Sequence, residues 1–170
     1  MTNNSAPLGG TGWYQGQTAV FASHDGAADS YIAANYNNTT FGGNVSNWLL
    51  TPQLDLSQAL TISFWTRTDA SAYLDTLELR VSTSGASTDV GATDSSVGNF
   101  SNLIASIGTA TPYPEGWTQY TVSLAGQGAG VSGRFGFRYA FVDSSVNGDY
   151  IGIDAVDVSV PEPAPLALLA

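Results

Sequence analysis

At 170 residues the chain is one domain long, with no cysteine, one histidine, and fourteen acids against four arginines for a net charge of -10. That balance excludes nucleic acid as a default partner and argues against anionic membrane surfaces, since Lys and Arg hold both; the missing cysteines exclude a disulfide framework, a thiolate zinc site and a Cys nucleophile. Polarity resides mainly in Ser, Thr, Asn and Gly, which suits an extracellular β-protein.

The opening residues, Met1 to Gly12, carry neither the charged start nor the apolar run of a signal peptide. Residues 1–12 are expected to be disordered or extended, the beginning of a mature chain. Helical periodicity is nearly absent downstream. Short alternating runs bounded by Gly, Asn, Asp and Pro predict strands near 18–23, 30–35, 46–51, 59–68, 74–83, 101–107, 117–124, 133–142 and 149–160. With no linker to divide them, these strands predict a single all-β domain over 13–160, a two-sheet jelly-roll-like β-sandwich. Ser82 to Asn99, rich in Ser, Gly, Thr and Asp, reads as a long exposed loop.

Alternation assigns the inward residues: Leu60, Ile62 and Phe64; Leu77, Leu79 and Val81; Tyr120, Val122 and Leu124; Phe135, Phe137, Tyr139 and Phe141. The last predicted strand changes phase. Ile151 and Ile153 keep one face, and Val156, Val158 and Val160 take up the other. A slip of one residue predicts a β-bulge near Asp154-Ala155.

Acidic turns are the first candidates for chemistry. Asp25 and Asp29 flank Gly26 with no basic neighbour in sequence, a hard-oxygen set that suits calcium as well as it suits an Asx-turn. Asp143, Asn147 and Asp149 sit in a stretch whose offsets copy the first half of an EF-hand loop, with Asp154 at position twelve. Extended geometry would carry Asp154 roughly 17 Å beyond Asp149, so a hairpin turn at Asn147-Gly148 explains the stretch better than a second metal site. Catalytic signals are weak: His24 and Asp25 are adjacent, no nucleophile elbow occurs, and nothing constrains Glu78 and Glu115 as a glycosidase pair. Arg67, Arg80, Arg134 and Arg138 alternate with core residues, as does Trp65. They suggest either a glycan-binding face or cross-strand ion pairing on a solvated one.

Several stretches resemble a known group: Phe21 to Asn35, Ser46-Asn-Trp-Leu-Leu-Thr-Pro52, Ile62 to Arg67, and Tyr150-Ile-Gly-Ile-Asp-Ala-Val156. They look like choice-of-anchor J domain proteins, which are related to the cleaved-adhesin modules of bacterial surface proteins. Val160-Pro161-Glu162-Pro163 resembles the PEP-CTERM sorting signal of exported bacterial proteins, which an exosortase-type membrane protease processes; residues 161–170 would then be a shortened form of that tail. The resemblance implies a structural calcium between the N-terminal acidic loop and the last strand, held by Asp25 or Asp29 with Asp154. It brings no catalytic residues.

The expectation is thus an exported, non-enzymatic module at the cell surface or in the extracellular polysaccharide matrix, with polysaccharide or surface proteins as partners. Alternatives are a carbohydrate-binding module and a matrix protein that self-associates through its sheet edges.

Overall fold

The computed structural model describes residues 1–161. Its strands, in chain order, are β1 (Thr2–Asn3), β2 (Ala6–Leu8), β3 (Tyr14–Gln15), β4 (Ile32–Asn35), β5 (Thr39–Leu50), β6 (Leu54–Asp55), β7 (Leu60–Thr68), β8 (Leu77–Ser82), β9 (Asn102–Ile107), β10 (Thr118–Leu124), β11 (Ser132–Phe141) and β12 (Tyr150–Ser159). A 3-10 turn at Tyr36–Asn38 joins β4 to β5. The strands form two antiparallel sheets: β1-β5-β11-β8-β9, with β2 also on β5 and β6 on β11, and β10-β7-β12-β4-β3.

The inward residues expected from alternation meet between the sheets. Leu60, Ile62 and Phe64 of one sheet bury against Leu77, Leu79, Val81, Phe135, Phe137 and Tyr139 of the other. Phe64 meets Phe137 edge-on at 4.9 Å between ring centroids. Each such side chain contributes roughly 1.5–3 kcal/mol when fully buried, so the two faces supply most of the cohesion. The expected bulge is present as well. Between Asp154 and Asp157 the register of β12 on β7 slips by one residue, and Ala155 takes up the extra length at φ 47°.

Four expectations need correction. Residues 18–23 form a turn, not a strand: Val20 and Phe21 donate to the Gln17 carbonyl, and the bend lets Phe21 reach an aromatic cluster with Tyr31 and Tyr150. The strand expected at 46–51 begins at Thr39. Its start is masked by Gly42-Gly43, where Gly42 has φ 79° and β2 packs too closely on Gly43 to leave room for a side chain. Residues 2–8 are extended, as the sequence allowed, but they belong to the sandwich expected to start at 13, because β1 and β2 join its larger sheet along β5. Finally, the Ser82–Asn99 loop is not simply exposed. It folds over the outer face of the larger sheet, where Val90 joins Phe100 and Trp48 in a buried cluster.

Candidate functional site

The acidic N-terminal loop and the last strand are connected, through hydrogen bonds. Because β12 bulges at Asp154, that side chain turns toward the 24–30 loop and is 8% exposed. Its Oδ2 accepts the backbone N–H groups of His24 at 2.8 Å and Asp25 at 3.1 Å, and its Oδ1 accepts that of Ala155 at 2.7 Å. The other two acids face elsewhere: Asp25 caps the N–H of Gly26, and Asp29 accepts from Gln15 Nε2. Among the described residues no three His, Cys, Asp or Glu side chains converge as a metal cluster. A carboxylate ringed by N–H donors presents the wrong polarity to a calcium ion, which needs six to eight oxygens or so. As arranged, Asp25, Asp29 and Asp154 therefore do not fit calcium.

Residues considered for a glycan-binding face are divided between the two sheets. Trp65 and Arg67 lie on the outer face of the smaller sheet, and Arg80, Arg134 and Arg138 on that of the larger. β7 and β8 are consecutive in sequence yet belong to opposite layers, so the five side chains form no common surface. Each outer face is also occupied by the chain itself. His24 stacks on Trp65 at 3.7 Å, and the Arg67 guanidinium lies 4.3 Å from the Phe21 ring centre. On the other side Glu78 pairs with Arg80 at 2.7 Å and Arg138 at 3.1 Å. Burial pushes the Glu78 carboxyl upward, but the bonds from both arginines outweigh it and hold the group below its ordinary range. Arg138 also lies over Trp48 and donates to the Asp94 carbonyl, while Arg134 donates to that of Thr51. Glu115 is exposed in the segment before β10, on the other layer from Glu78, so no glycosidase pair forms.

The Asp143–Asp149 stretch connects β11 to β12, which lie in different sheets, so it is a crossover turn and not a hairpin. Asp143 sits at φ 54° and accepts the backbone N–H and the hydroxyl of Ser145, an Asx-turn that holds its carboxyl below the usual range. Asn147 donates its side-chain amide to the Val142 carbonyl. Gly148 has φ 79°, and a Cβ there would run into the Phe141 ring. Asp143 and Asn147 are thus engaged within the turn itself, and Asp149 is held through its backbone, whose N–H donates to Asp75 and whose carbonyl accepts from Tyr36. Val160 and Pro161 follow β12, whereas Glu162 and Pro163 lie outside the described residues.

What the turn does build is a cleft of about 360 Å³ at the loop end of the sandwich. Tyr36 and Asn37 come from the 3-10 turn, Thr39 and Phe41 from the start of β5, Tyr73 from the β7–β8 loop, and Ser144, Ser145, Gly148 and Asp149 from the crossover. Phe41 is 88% exposed, Tyr73 50% and Tyr36 45%. The segments are tied to one another: Tyr36 N donates to the Asp149 carbonyl, Gly148 N to that of Leu74, and Ser144 Oγ to that of Thr40. Behind them lies Asp75, buried and accepting from Thr68, Tyr139 and the Asp149 N–H. Burial raises the Asp75 carboxyl above its usual range despite those bonds, and the Asp149 charge adds to the rise. Sequence reasoning singled out Asp149 but missed the site, since Tyr36 and Phe41 fall in a 3-10 turn and a glycine-flanked strand start and Tyr73 in a distant loop, none with a periodic signal.

A sandwich of this class is shared by solved adhesin and glycan-binding domains. The K1 cleaved adhesin domain of Lys-gingipain from Porphyromonas gingivalis matches with TM-score 0.66 and 20% identity, over 95% of this chain and 90% of that one. The K2 domain of the same protein matches with TM-score 0.62 and 17% identity, over 94% and 89%. A structure described as carbohydrate-binding modules of the β-sandwich superfamily matches with TM-score 0.53 and 12% identity, over 93% of this chain and 56% of that one. At these identities the likeness establishes a common fold, and with it the structural relation to cleaved-adhesin modules that the sequence suggested. A scan of protein-family models gives no match, and neither does a search of curated proteins.

Proposed function

We propose that the protein is an exported, non-catalytic surface module that binds glycan in the loop-end cleft. One observation carries this reading: Tyr36, Phe41 and Tyr73 expose their rings around a cleft also lined by Asn37, Thr39, Ser144 and Ser145. Flat aromatics stack on the apolar faces of sugar rings while amides and hydroxyls meet their hydroxyl groups. Contacts within the chain already engage Trp65, Arg67, Arg80, Arg134 and Arg138 on the outer faces, which favours the loop end as the glycan site. The fold shared with adhesin and carbohydrate-binding modules supports the class of activity. Export with a PEP-CTERM-like tail, processing by an exosortase-type enzyme and a place in the polysaccharide matrix belong to the same reading.

A glycan array followed by titration of the hits tests it. Binding is expected in the wild type and in Trp65→Ala, and is expected to be lost in Phe41→Ala and Tyr73→Ala. Binding that survives both cleft variants and disappears in Trp65→Ala would return the site to the sheet face. An array without hits would leave adhesion to a protein surface as the better reading.

A further inference from the structure

The cleft carries a charge that the fold does not use. Asp149 lines it, and the Asp149 carboxylate has no hydrogen-bond or ion-pair partner among the described residues, although the backbone N–H and C=O of the same residue are both engaged. No residue lining the cleft is basic. The four arginines are committed elsewhere, to Phe21, Glu78, Trp48 and the Thr51 carbonyl. Asp75 lies behind Asp149 and accepts its backbone N–H, which fixes the Asp149 main chain at the cleft wall. Exposed aromatic rings grouped with one free carboxylate favour an organic ammonium group, which the ring faces and the charge attract together. A hard cation such as calcium is poorly served by the same set, because the rings supply none of the oxygens it needs. The chain's net charge of -10 also opposes uronates and sulfated sugars.

Building on the glycan-binding reading, we infer that the cleft selects sugars bearing a free amino group, with the ammonium paired to Asp149 and the pyranose ring stacked on Tyr73, Phe41 or Tyr36. A de-N-acetylated hexosamine chain has this chemistry: a cationic nitrogen on a ring with one apolar face. Acetylation removes the charge and keeps the ring.

Calorimetric titration of the purified protein with β-1,4-linked tetramers of glucosamine, N-acetylglucosamine and glucose separates the possibilities. The glucosamine tetramer is expected to bind about tenfold tighter than the other two, a difference of ~1.4 kcal/mol. Asp149→Asn, which removes no contact that holds the fold, is expected to abolish that preference and retain the weaker binding of neutral sugars. Asp29→Asn changes the net charge equally at a distant loop and is expected to leave the preference intact. Equal affinity for all three tetramers would overturn the ammonium site and spare the glycan reading. An equal loss in Asp29→Asn would also overturn it, by exposing attraction between a polycation and an acidic protein. Absence of binding to every tetramer, together with an array without hits, would overturn both.

Discussion

Replacing Asp154 by Ala isolates one carboxylate that fastens a whole loop. The side chain is nearly buried and accepts backbone N–H groups from His24, Asp25 and Ala155. A hydrogen bond to a charged group contributes about 1.5–3 kcal/mol net, and the cost of losing its acceptor depends on whether water reaches the orphaned donor. The His24–Asp25 segment is exposed, so water replaces part of what is lost, and a total of about 2–3 kcal/mol is expected instead of a sum over three bonds. For a domain of this size that corresponds to a fall in Tm of roughly 4–12 °C. Asp154→Asn keeps an oxygen for His24 and Asp25 but turns an amide toward the Ala155 N–H, so its loss should be about half as large. Urea denaturation followed by tryptophan fluorescence reports both the global loss and the unstacking of His24 from Trp65. A change in Asp154→Ala below about 0.5 kcal/mol, with unaltered fluorescence, would refute the assignment of this carboxylate as the fastening of the loop.

Calcium provides an independent check: with N–H donors already around Asp154, the Tm should be the same in millimolar calcium and in chelator. A midpoint that rises with calcium would restore the metal-bridged arrangement. Glu78→Gln strands the buried Arg138 and should cost about 1–3 kcal/mol at neutral pH. Because the folded Glu78 carboxyl is depressed, that stabilisation is complete above the ordinary Glu range and vanishes as pH falls through the lower folded value; a pH-independent difference between the two proteins would contradict it. Asp75 has the opposite sign. Its raised carboxyl makes the wild type lose stability as pH rises from the ordinary Asp range through the folded value, so Asp75→Asn should gain on the wild type along that climb in urea titrations at successive pH values. Gly148→Ala combines an unfavourable φ with a collision against Phe141 and should cost about 1–3 kcal/mol while weakening any ligand of the cleft.

The core was legible because period-two alternation depends only on which face a side chain takes. Phe64, Leu79 and Phe137 therefore fell into place before any pairing was known, and the change of phase at Asp154 announced the bulge. Partnership between strands was not legible. β7 follows directly into β8, but the chain crosses from one layer to the other between them, and this separates Trp65 from Arg80. The link between the acidic loop and β12 was anticipated as shared metal ligation, whereas hydrogen bonds make it here, since a sequence displays side-chain oxygens and conceals backbone N–H groups that turn toward them. The cleft stayed hidden for a related reason. Phe41, beside two glycines, and Tyr73, in an irregular loop, have no periodic signal to mark them as exposed, and only the 3-10 turn, the Asp75 hub and Gly148 bring them to one place.

The position of β12 has a mechanical consequence. It lies between β7 and β4 and is antiparallel to both, while the first strands of the chain belong to the opposite layer. Tension applied beyond Ser159 must therefore extract a strand bonded along both of its edges, and Asp154, which fastens the 24–25 backbone to that strand, adds to what has to break, so the rupture force of single molecules pulled through this strand should fall in Asp154→Ala.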